Sequence, residues 1–220
     1  MVNRGFAPSI CMVMIATVSL GGCKLEKNDV GADGQSQKVV SSQPGGDMNA
    51  LVADIWEKQV LPHLDETSTD MAELVTAIAS GLDAAGDAKG YRPASEGSPW
   101  NFSTKVKGKI VSAKTDTRAA TADVDVDGDG TADVTLQLGP VIRGTALRDI
   151  LPFIDFSSFT DQIEYAKLSR ALNARAFESA LEDLPRDNLE GQQVEALGAF
   201  TVRGGGPPFL VTPVTVKVGG

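Results

Sequence analysis

The chain has 220 residues, 42% hydrophobic and 22% charged, enough apolar material for one substantial core or two small ones, and it is neither a disordered tail nor an integral membrane protein. Acidic side chains outnumber basic ones 29 to 20, and a surface with net charge −9 is repelled by nucleic acid and by anionic lipid headgroups. One histidine and two cysteines leave too little material for a His- or Cys-rich metal centre, a catalytic triad or a disulfide framework.

In chain order, Arg4 precedes an uncharged apolar run from Ile10 to Leu20, too short to span a bilayer as a helix but suited to a signal-peptide core. The run ends in Leu20-Gly21-Gly22-Cys23, which resembles the bacterial lipobox, so residues 1–22 read as a lipoprotein signal and Cys23 as the lipidated first residue of the mature chain. Cys11 leaves with the signal. Removing Arg4 takes the basic side chains from 20 to 19 against 29 acids, so the mature net charge is −10. Lys24, rather than aspartate, follows the lipidated cysteine, which favours the outer over the inner membrane in a two-membraned cell. Residues 23–47 lack an apolar period and read as a flexible tether of about 27 Å average span.

The folded part is expected to be α+β. Met48, Leu51, Val52, Ile55 and Trp56 share one helical face, with Asp47 as N-cap and Pro62 limiting the far end. Asp70 and Glu73 open a second helix carrying Met71, Leu74, Val75 and Ile78, closed near Gly81, and the two are expected to pair as a hairpin. Residues 83–99 read as a connection, completing a 48–99 segment. From Phe102 to Ile110 the period becomes two, with Lys105, Lys107 and Lys109 facing outward. Further strands are expected near Arg118–Val126 and from Val134 to Leu138 around the Gly128-Asp129-Gly130 turn. Helix follows from Ser158 to Leu184, with a shift of stripe near Asn173 that marks two helices, and strands come last at Gln193–Val202 and Phe209–Val216. Three strands, a helix and two strands match a five-stranded, antiparallel OB-like barrel over 100–220 with its helix between strands three and four; a plain antiparallel sheet packed on helices gives the same string.

Gly97-Ser98-Pro99-Trp100, the stretch Gly139-Pro140-Val141-Ile142-Arg143-Gly144-Thr145-Ala146-Leu147-Arg148-Asp149, and Phe159-Thr160-Asp161-Gln162-Ile163-Glu164 resemble the predicted periplasmic lipoproteins known as domain of unknown function 2291, across nearly the whole mature chain. That resemblance carries no catalytic residues. It implies an accessory role beside sugar-uptake ABC transporters, with transporter components or a carbohydrate as partner.

Asp125, Asp127, Asp129, Thr131 and Asp133 have the D-x-D-x-D-G-x-x-D spacing that gathers hard oxygen ligands for Ca²⁺. Leu136 stands where an EF-hand has its bidentate glutamate, so the other reading is an acidic hairpin turn with solvated aspartates. Arg143 and Arg148 fit a fork for a ligand carboxylate or sugar hydroxyl, or else internal ion pairs. Trp100, in a loop entering the first strand, is a stacking platform for a sugar ring, whereas Trp56 lies on an apolar stripe and reads as core. His63 reads as a surface residue complementing a helix end. No catalytic motif is present, so a non-enzymatic lipoprotein leads. The rivals are a glycan hydrolase built on Asp149, Asp155 or Glu164 and a calcium-stabilised structural module.

Overall fold

Asp47 accepts a hydrogen bond from the Asn49 amide at 2.9 Å and starts helix α1 (Met48–Ile55). In the computed structural model, which describes residues 46–93 and 97–219, that helix does not stop at Pro62. Trp56–Val60 widens to a π-wound turn and α2 (Leu61–Thr67) continues from it. Pro62 lacks an N–H, and the wide turn directly before it relieves the clash of its ring with the preceding carbonyls. The signal segment 1–22, Cys23 and the tether up to residue 45 lie outside the described residues. Among the described residues no helix is long and apolar enough to cross a membrane.

The expected helical hairpin is replaced by a different arrangement. Strand β1 (Thr69–Asp70) pairs in parallel with β2 (Trp100–Lys114) and turns the chain away from α2. Helix α3 (Met71–Ser80), capped by Asp70 through the Ala72 and Glu73 amides, then buries Met71 and Leu74 among sheet residues, while α1, the π-wound turn and α2 bury Val52, Ile55, Trp56 and Leu64 in a separate cluster. The stretch 83–99 is helical at its start, where α4 (Leu82–Lys89) packs Gly86 against the Trp100 ring.

The sheet continues through β3 (Thr121–Asp125), β4 (Val134–Gln137), β5 (Gln193–Val202) and β6 (Phe209–Val218) in the order β1-β2-β3-β4-β6-β5, and β5 pairs in turn with β2. Two features depart from five antiparallel strands. There are six strands, and the β1–β2 and β4–β6 pairs are parallel. Parallel neighbours need a crossover, and for β4 and β6 it is supplied by the intervening α5 (Ala146–Asp149), α6 (Gln162–Ala180) and β5.

Besides the short pairing with β1, strand β2 serves two longer partners, β5 along Trp100–Lys109 and β3 along Lys109–Lys114, with a register shift between Ile110 and Ser112 that bends it. Helix α6 is one helix and not two. Leu168, Ala171, Leu172 and Ala176 lie in the cluster shared with α1 and α2, and Phe177 and Ala180, in the last turn, pack against the sheet cluster. The stripe shifts because a helix about 28 Å long faces two cores in succession. Both cores draw on residues from either side of residue 99.

Candidate functional site

Gln137, at the end of β4, would point to solvent by simple alternation, but it is buried. Its Oε1 accepts from the Arg143 amide at 2.7 Å, and its Nε2 donates to the Arg143 carbonyl at 3.0 Å and to Thr212 Oγ1 at 2.9 Å. From the other side, Asn173 of α6 donates to the Gly144 carbonyl at 3.1 Å. Two buried amides therefore fix the backbone of residues 143 and 144, where Gly144 takes φ of 88°, a conformation that favours glycine. The Arg143 side chain is left exposed, with no ion-pair partner among the described residues.

It lines a cleft of about 210 Å³ together with Arg203, Gly204 and Pro208 of the β5–β6 connection and the buried Phe209 and Thr212. Arg203 Nη2 reaches Thr145 Oγ1 at 3.4 Å. Leu210, 44% exposed, gives the rim an apolar edge.

The other two residues expected to bind ligand are differently placed. Arg148 grips Asp149 through Nε at 2.7 Å and Nη2 at 2.6 Å, donates from Nη1 to the Tyr165 carbonyl, and lies 3.7 Å above the Tyr165 ring. Its guanidinium is committed inside the fold. Trp100 is buried: Nε1 donates to Asp83 Oδ1 at 3.0 Å, the ring lies against Gly86, and Arg92 sits 4.3 Å from it. A ring so covered has no free face on which to stack a sugar.

In the β3–β4 hairpin, ligand atoms of Asp125, Asp127 and Asp133 lie within 4.8 Å of one another, with Asp125 and Asp133 buried. Asp129 falls outside this group of carboxylates: its Oδ1 accepts from the Thr131 amide at 2.6 Å and closes a local turn. Asp125 accepts from the amides of Gly128 at 2.6 Å and Gly130 at 2.8 Å, which hold its carboxyl below the usual carboxylate range. Asp133 accepts from the Val126 amide, yet burial first and the charges of Asp127, Asp129 and Asp125 next push its carboxyl above that range.

The carboxylates considered for hydrolysis each hold backbone or a partner. Asp149 is bound by Arg148 and the Thr145 hydroxyl, Asp155 caps the turn at the Ser157 amide, and Glu164 accepts from the Thr160 amide. His63 is no surface cap. It is half-buried, with Nε2 3.2 Å from the Ile150 carbonyl and the ring edge-on to Phe153, and burial keeps it below its ordinary pKa.

Gln137, Asn173 and Arg203 are the site residues that sequence reasoning passed over. A polar residue interrupting the apolar alternation of 134–138 was the available signal for Gln137; Asn173 showed only as the point where the helical stripe shifts, and Arg203 only as the start of a Gly-Pro turn.

No curated protein matches the chain. The crystal structure of an OB-fold protein from Thermotoga maritima is similar to it, with TM-score 0.63 and 16% identity over 78% of this chain and 98% of that one, a likeness of fold alone. The family described as predicted periplasmic lipoprotein (DUF2291) matches residues 13–217, and with that match over most of its length the chain belongs to this family.

Proposed function

We propose that this periplasmic lipoprotein is a non-enzymatic binding component, held to the membrane through Cys23, that takes a small hydroxylated ligand in the cleft between residues 143–146 and 203–210 and serves carbohydrate uptake beside a transporter. One observation carries the reading. Buried amides of Gln137 and Asn173 are spent on fixing an exposed loop, which leaves Arg143 as a rigidly based side chain over a cleft. Pre-organisation of that kind lowers the cost of ordering a loop when ligand binds. OB folds place ligand sites on the barrel face flanked by such strand connections, and they include oligosaccharide binders. The engagement of Asp149, Asp155 and Glu164 in structural bonds supports the non-enzymatic reading, and Lys24 supports the outer membrane as the anchoring surface.

Thermal unfolding with a panel of pentoses, hexoses, sugar alcohols, sugar acids and sugar phosphates tests this. At least one member is expected to raise the midpoint, since a ligand of the native state alone must do so, and Gln137→Ala is expected to abolish the shift while costing about 1–3 kcal/mol of stability. A panel without effect on the unaltered chain refutes the proposal.

A second reading, calcium in the β3–β4 hairpin, draws support from the convergence of Asp125, Asp127 and Asp133. Asp133→Asn keeps an acceptor for the Val126 amide and removes a charge that is unfavourable when ionised. A carboxyl raised on folding contributes stability below its unfolded pKa and loses it as pH rises through the folded value. In chelator at pH 7 the variant should therefore melt about 1–3 °C higher than the parent, and the gain should vanish below the ordinary carboxylate range. If calcium binds, excess calcium raises the parent's midpoint and not the variant's; equal responses eliminate the site.

A further inference from the structure

Resting on the cleft reading above, we infer that its ligand is a small sugar carrying an oxyanion, a sugar acid or a sugar phosphate, held by Arg143 and Arg203. The chain has 29 acidic residues, yet the lining of this cleft has no aspartate or glutamate and does have two arginines. Neither guanidinium has a carboxylate partner among the described residues, whereas the neighbouring Arg148 is matched to Asp149. Two unmatched cations on one small cleft repel each other until an anion joins them, and a guanidinium fork suits carboxylate or phosphate oxygens.

The hydroxyls around them complete the specification. Thr145 donates its proton to Asp149 Oδ2 at 2.5 Å and Thr201 donates to Asn101 Oδ1 at 2.6 Å, so both oxygens offer only lone pairs to a ligand. Ligand hydroxyls can donate to them while the arginines donate to the oxyanion. Pro208, Phe209 and Leu210 supply an apolar wall for the carbon face of a ring. At about 210 Å³ the cleft lies below the range of pockets for drug-sized ligands and suits one sugar unit. A carboxylate on the same ring as a neutral sugar gains charge-assisted bonds that the neutral sugar cannot make.

Titration calorimetry of the full chain in nonionic detergent, with glucuronate, glucose, glucose 6-phosphate and inorganic phosphate, tests the inference. The acid or the sugar phosphate is expected to bind at least about tenfold tighter than glucose, to weaken with added salt, and to lose about tenfold or more in affinity in Arg143→Gln and in Arg203→Gln. Because both side chains are exposed, each variant should retain the parent's melting midpoint without ligand. Glucose bound as tightly as the acids, with loss on Gln137→Ala but no effect of either arginine variant, overturns the anion assignment and leaves the cleft reading intact. Acid binding that is insensitive to both arginines and to Gln137→Ala overturns both. Inorganic phosphate binding as tightly as the sugar phosphate overturns the sugar half of the assignment, and no binding by any of the four overturns the inference altogether.

Discussion

Phe102→Ala is expected to cost about 3–5 kcal/mol, as truncation of a buried aromatic does when the cavity cannot collapse. Phe102 is fully buried on β2, its ring stacked on Phe200 at 5.4 Å, and Phe200 in turn lies 5.2 Å from Phe209. The three rings join β2, β5 and β6 from within, so loss of the first leaves its neighbours facing a void between strands that hydrogen bonds hold apart. Domain stabilities are only about 5–15 kcal/mol, so the variant should unfold at a much lower urea concentration with an unchanged slope. Ile163→Ala, on an exposed side chain, is the control and should stay within about 0.5 kcal/mol. A loss below about 1 kcal/mol at Phe102 would show that the ring column is not the centre of the sheet core.

Gly108→Ala is expected to destabilise by about 1–3 kcal/mol or more, although alanine ordinarily suits a strand better than glycine. A Cβ at this position would lie 2.1 Å from the Asp125 carbonyl oxygen and 2.9 Å from its carbon. Those are backbone atoms of the neighbouring strand, held by the Lys109–Asp125 pairing, and they cannot swing aside as a side-chain tip can. Relief requires β3 to part from β2 just where β2 changes partner from β5 to β3. The same movement would disturb Asp125, whose carboxylate ties down the hairpin amides. Gly81→Ala, with open space around the new methyl group, should be nearly neutral in the same denaturation assay. Equal midpoints for the two variants would contradict the close approach at Gly108.

Much of the architecture was legible locally. Asp47, Asp70 and Asp161 each cap a helix start, two of which were foreseen at those residues, because a short side-chain oxygen placed before an apolar stripe has few other partners. The bounds of β5 agree with the expected Gln193–Val202, and the outward lysines of β2 follow from alternation, since one face of that strand is buried where the lysines face water. Misreadings arose where a segment met two environments. Asn173 marked a change of neighbour along one helix and not a break, and Pro62 was absorbed by the π-wound turn before it. Trp100 read as an open platform because its cover, Gly86 on α4, lies in a stretch whose small residues gave no apolar stripe.

The sequence by itself determined the extracytoplasmic address, the α+β class, the strand and helix order that fits an OB-like fold, and the family, since each depends on residues close together in the chain. Tertiary structure alone decided that β4 and β6 run parallel, that Arg143 is left without an ion-pair partner among the described residues, and that Arg203 joins Arg143 at one cleft. The physical reason is sequence distance. Arg143 and Arg203 are brought to one cleft by strands and helices whose packing carries the chain there and back, and no local spacing records which charges will meet a partner and which will be left for a ligand.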